Sequence, residues 1–148
     1  MKSIHDTQTR AEVVARINVL RPGTAPLWGK MNLYQMLKHC RLWEDLSLGR
    51  VTYRRGWQGR LFGRMALGRF LSDDRPLPKN TPTLPELIIR DEGGDIASEK
   101  AGWIAKLESY GDEPGPGIIH PFFGRLSGEQ VGWLAYKHAD HHLRQFNG

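Results

Sequence analysis

Apolar residues recur at helical spacing in four separate stretches of the chain, and strand-type alternation is sustained nowhere. The first stretch carries Ala11, Val13, Val14, Ile17 and Leu20 behind a T-x-x-E capping box of Thr9 and Glu12, and Pro22-Gly23 closes it. It predicts a helix over 9–20. Asn32 and Gln35 open the second, where Leu33, Met36, Leu37, Cys40 and Trp43 share one stripe and Gly49 ends the helix near Leu48. Ile96, Trp103, Leu107 and Tyr110 mark a third over 95–110, stopped by the GDEPGPG run. Ser127 and Gln130 form an S-x-x-Q box that starts a fourth, over 128–146. Four helices, each hiding one face, predict an all-α antiparallel four-helix bundle. The connection between the second and third helices is long enough to cross the bundle, so simple up-down-up-down order is not required.

That connection is harder to read. Trp57, Leu61 and Met65 are spaced to line one side of a helix, but Gly56, Gly59, Gly63 and Gly68 weaken it, so a short or irregular helix is expected. Four prolines within 72–91 predict an extended loop wrapping the body. The tract Ile118–Leu126 is apolar with a proline turn, and the five tryptophans are assigned mostly to the core.

At 148 residues the chain fits one domain, 1–148. No run of 18 apolar residues exists, which excludes a transmembrane helix. The first residues lack the apolar core of a secretory signal, and one cysteine excludes a disulfide framework or a multi-cysteine metal site. The expected compartment is the cytoplasm. The net charge of +5 is modest, but Arg50, Arg54, Arg55, Arg60, Arg64 and Arg69 fall in a stretch with no acid. Arginines beside Trp57, Phe62 and Phe70 suit a nucleic acid or an anionic membrane. A solvated, arginine-paired surface is the simpler reading, so neither nucleic acid nor membrane is expected as a partner.

The chemistry concentrates at the end of the fourth helix, in KHADHHLRQF. Counting about 100° per residue from Val131 puts His138 and His142 within about 20° of the stripe's centre. His141 falls at its flank and Asp140 out in solvent. Two imidazoles one turn apart on a buried face are either hydrogen-bonded to a neighbouring helix or ligands of one metal ion. A third ligand would come from His5, His39 or His120. His5 lies in a terminus expected to fray. His39 sits at the edge of the second helix's stripe. His120 precedes Pro121 in a loop about 25 Å from His142 along a straight helix, and a loop-fixing hydrogen bond suits it better.

At these residues the chain resembles a DinB-like branch known only as a domain of unknown function. The resemblance rests on His39 in MLKHC, on HPFFG at 120–124 and on HADHHLRQF at 138–146, with WGKM at 28–31 and PKNT at 78–81 adding to it. It implies a four-helix bundle in an up-down-down-up arrangement. It also implies a divalent-metal site of His39, His138 and His142, and a possible homodimer. The wider superfamily includes metal-dependent thiol transferases, isomerases and hydrolases.

Three neutral imidazoles leave an ion its full charge and an open position, which suits activation of water or of a low-molecular-weight thiol on a small-molecule substrate. Zinc or nickel is the expected occupant after purification. Glu44, one turn past Cys40, is the candidate base, against a carboxylate paired with an arginine. Gln145 is placed to orient a ligand or to tie the bundle end. Cys40 reads as an inert core residue. Trp133 points away from the stripe, toward a subunit contact or the long loop. A non-catalytic bundle that binds metal or a small ligand is the competing class.

Overall fold

The computed structural model describes residues 1–148. The chain forms α1 (Thr7–Val19), α2 (Leu33–Ser47), α3 (Trp57–Phe70), α4 (Ile96–Glu108), the strands β1 (Ile118–His120) and β2 (Gly124–Leu126), and α5 (Gly128–Gln145). One 3-10 turn, Pro85–Leu87, lies between α3 and α4. The fold is mostly helical. α1 and α2 each pack against both α4 and α5 around one apolar core that includes Ile17, Met36, Leu37, Trp103, Leu107 and Leu143. The crossover connection of the sequence reading is the segment between α2 and α4, and it carries α3. No helix is long and apolar enough to cross a membrane.

The capping boxes at Asn32–Gln35 and Ser127–Gln130 close in both directions. The box expected at Thr9–Glu12 does not form. Asp6 is the N-cap instead, accepting from the Thr9 N–H at 2.7 Å, so α1 starts at Thr7. A carboxylate suits that place because the free N–H groups of a helix start carry partial positive charge. The preceding residues do not fray. The Ile4 N–H donates to the Gly132 carbonyl at 3.0 Å, and His5 is buried with its Nδ1 2.8 Å from the Gly111 carbonyl.

α3 corrects the sequence reading most. It is a regular helix of 14 residues, and Gly59 and Gly63 lie on its packing face with Leu67. A Cβ added to Gly59 would lie 2.7 Å from Phe122 Cα, and one on Gly63 would lie 1.9 Å from the Phe122 carbonyl oxygen. Only bare backbone lets the helix come this close to the turn between β1 and β2. Each glycine costs about 1 kcal/mol of helix propensity, and the close packing offsets it. Trp57, Leu61 and Met65 consequently face solvent rather than the core.

The hairpin was not anticipated, because strands of three residues are too short to show alternation. β1 and β2 pair antiparallel with Ile118 opposite Leu126 and His120 opposite Gly124. His120 Nδ1 accepts from the N–H groups of Phe122 and Phe123 at 3.1 and 3.2 Å, the loop-fixing bond expected of it.

α5 is enclosed on nearly every side. Its apolar stripe meets the core, yet Lys137, Asp140 and His141 are buried too. Asp140, placed in solvent by the helical wheel, accepts from Arg16 of α1 at 2.8 Å and from Arg144 at 2.7 Å. Lys137 donates to the Asp73 and Arg75 carbonyls at 2.6 and 2.7 Å, so the proline-containing loop runs over the outer side of α5. The wheel failed there because it knew one buried side of the helix and not the cover on the other.

Candidate metal centre

α2 supplies His39 and α5 supplies His138 and His142, one turn apart. One ring nitrogen from each lies within 4.8 Å of the others. No other group of three histidine, cysteine or acidic side chains converges in this way. His39 and His142 are buried and His138 is half-buried. His39 Nε2 and His138 Nε2 are 3.0 Å apart.

The tautomers follow from the hydrogen bonds on the far side of two rings. His39 Nδ1 lies 3.0 Å from the Leu87 carbonyl in the 3-10 turn. A carbonyl only accepts, so Nδ1 carries the proton and Nε2 presents its lone pair. His142 Nδ1 lies 2.9 Å from Gln145 Oε1, while Gln145 Nε2 donates to the Trp28 carbonyl at 2.8 Å. The carbonyl fixes which end of the amide is the donor, and the amide then fixes the imidazole. His142 Nε2 is therefore also unprotonated. Trp43 stacks on His138 with ring centroids 4.3 Å apart and planes 17° from parallel, which sets that ring's orientation. His138 Nδ1 is buried without a hydrogen-bond partner.

Burial holds His39 below the usual imidazole range. His138 and His142 are held well below it, first by burial and then by the neighbouring rings. All three are neutral at neutral pH, the form that binds a cation. Two lone pairs aimed at a space shared with a third imidazole fit a divalent ion, since nitrogens about 2.0–2.1 Å from one ion lie roughly 3 Å from each other. A direct His39–His138 hydrogen bond is the metal-free alternative for the close pair.

Other sequence candidates are placed elsewhere. Glu44 is fully buried but turned to α4, with Trp103 Nε1 at 3.3 Å from Oε1 and the Tyr110 hydroxyl at 2.5 Å from Oε2. It is neither in the histidine group nor paired with an arginine. Burial pushes its carboxyl up to about 7. Cys40 lies against Met36 Sδ at 3.7 Å, and burial pushes its thiol well above the ordinary range, as an inert core residue requires. His120 uses Nδ1 as an acceptor, so its tautomer is opposite to that of His39 and His142. β2 packs against α5, and His120 lies near enough to His138 to disfavour its protonation. His141 is buried edge-on between Trp28, at 5.8 Å, and His142, at 5.1 Å.

The supports of the site were the part least visible in the sequence. Gly29 has φ +79°, and a Cβ there would lie 2.7 Å from Gln145 Nε2, so only glycine admits the amide. The Leu87 carbonyl carries no side-chain signal at all. The WGKM stretch was a usable signal, because its first residue supplies the carbonyl that orients Gln145.

Among curated proteins and among solved structures nothing matches the chain. One family model does, that of a protein of unknown function, DUF1569, over residues 3–148. The match spans every element described above, the three converging histidines included, and the chain belongs to the DUF1569 family.

Proposed function

We propose that this chain is a divalent-metal protein of the DinB-like bundle type, held by His39, His138 and His142, that activates a thiol or water nucleophile on a small-molecule substrate. One observation carries the reading: Nε2 of His39 and of His142 are both left unprotonated by hydrogen bonds to Nδ1, and both are aimed into one buried group. A bundle has little other reason to bury three neutral imidazoles together, because each buried polar atom without a partner costs about 1–3 kcal/mol. A divalent ion there would supply a double charge that lowers the pKa of a water or thiol brought to it. The chain's own part is orientation. Leu87 and Gln145 hold two rings, and Trp43 holds the third.

A non-catalytic metal- or ligand-binding bundle is the second reading. It is favoured by the absence of a carboxylate in the group, with Glu44 turned away to α4.

The test is metal content per chain, on protein purified without a histidine tag, for wild type, His39→Ala and His142→Ala. The expected result is about one divalent ion in the wild type and none in either variant, with unchanged circular dichroism. Absence of metal from the wild type after loading with zinc, nickel or manganese overturns the proposal. Thiol-transfer and hydrolase assays of the loaded protein then separate the two readings, since only the first predicts turnover.

A further inference from the structure

The outward face of α3 has no role in the metal centre. Trp57, Leu61 and Met65 are one turn apart from each other and are 70%, 66% and 71% exposed. Large apolar side chains singly exposed need no explanation, but a continuous row of three along one helix does. The row is not an accident of poor packing. Gly59 and Gly63 seat the opposite face of α3 on the hairpin turn at backbone contact, so the exposed row is held rigidly outward.

The charge around the row is of one sign. Arg50 is the only arginine of the acid-free stretch with an acidic partner, Asp45 at 3.9 Å. Arg54, Arg60, Arg64 and Arg69 are exposed and have no acidic partner. Arg60 and Arg64 flank the row and, with Arg55 and Arg125, line a groove of about 620 Å³ between α3 and β2. Arg55 donates to the Gly59 carbonyl and Arg64 to the Arg125 carbonyl, which fixes two of these guanidinium groups at the groove wall. Arg55 Nε is buried there without a partner.

From these observations we infer that α3 docks on an anionic phospholipid surface. Trp57, Leu61 and Met65 enter the acyl boundary, and the arginine groove takes headgroup phosphates. The apolar row decides between polyanions. Nucleic acid would satisfy the arginines and stack on Trp57, but it offers no apolar phase for Leu61 and Met65. A second copy would cover the row, but a two-fold contact would set the arginine rows against each other. Only the bilayer interface matches both halves of the surface. The sequence alone predicts no membrane partner. The change comes from finding the row outside the core.

The experiment is co-sedimentation of the whole protein with vesicles of phosphatidylcholine alone, or of phosphatidylcholine with phosphatidylglycerol. Wild type should bind the anionic vesicles and not the neutral ones, with a blue shift in emission that Trp57→Phe removes. Leu61→Ser/Met65→Ser should lower the partition coefficient at least tenfold, because each side chain loses its burial in lipid. Arg60→Gln/Arg64→Gln should lower it about tenfold or more. All of these side chains are exposed, so unchanged melting temperatures are the check on folding. Wild type that stays in solution with anionic vesicles overturns the inference. Binding that the serine variant retains in full overturns it as well. So does a wild-type dimer in sedimentation velocity that the serine variant dissolves, or duplex-DNA binding in place of vesicle binding.

Discussion

Replacing Gly63 by alanine should destabilise the protein although it improves the helix that contains it. Alanine gains about 1 kcal/mol over glycine in a helix interior. Against this, the new Cβ would lie 1.9 Å from the Phe122 carbonyl oxygen, 2.9 Å from Phe122 C and 3.1 Å from Phe123 Cα. All three are backbone atoms in a turn pinned by His120, so none can rotate aside. α3 would have to withdraw by about 1.5 Å, opening the contact along its length, and overpacking of this kind costs about 1–3 kcal/mol or more. The balance is a loss of up to about 2 kcal/mol, or up to roughly 8 °C in melting temperature for a chain of this size. Gly68 lies on the same helix with nothing within 4 Å of its added Cβ, so Gly68→Ala should instead raise stability by up to about 1 kcal/mol. The pair holds the chemistry of the substitution constant and changes only the surroundings. Urea unfolding of both variants beside wild type measures the difference. If Gly63→Ala stabilises as much as Gly68→Ala, α3 does not rest on the hairpin turn, and the outward placement of Trp57 goes with it.

Gln145→Leu should lower divalent-metal affinity about 10–100-fold by freeing His142 and leaving the Trp28 carbonyl unpaired, and Gly29→Ala should act in the same direction. Calorimetric titration reads it, and unchanged affinity would show that the amide does not orient the ring. Glu44 sets a pH dependence on the stability of the folded chain. Its folded pKa of about 7 stands above the ordinary value of 4.5, so its contribution is complete below pH 4.5 and is lost as pH rises through about 7. The loss amounts to about 3 kcal/mol, so Glu44→Gln should gain on wild type by up to that much between pH 5 and 8. A difference that stays constant over that range would mean the carboxyl is not held protonated by burial.

The elements with strong local signals were legible. Asn32–Gln35 and Ser127–Gln130 set the starts of α2 and α5, and the angular position of His138 and His142 put them on the buried stripe before any partner was known. His39 owed its place to the resemblance, because at the edge of a stripe an imidazole has no distinguishing angle. α3 was misread because glycine carries two meanings. Low helix propensity is visible in one sequence, whereas close approach to a turn 60 residues away is not. Asp140 was misplaced for a related reason: its cover comes from Arg16 on another helix. His142 is held by the Gln145 side chain, which the sequence placed near the site, whereas His39 is held by the Leu87 backbone carbonyl, a group every residue has and no pattern of side chains could have named.

The enclosure of α5 bears on how the chain is assembled during synthesis. His39 and His138 are separated by 99 residues, which a ribosome adds in about 5–20 s. By the end of that interval α1, α2 and α4 have been made without the helix that lies between them and the long loop. Their inward faces stay partly bare, and His39 lacks the two rings of α5 beside it. The group of three histidines cannot assemble in stages from one end. It closes in a single late event when α5 enters, and the nascent chain is most exposed to aggregation, and to a chaperone's grip, just before that event.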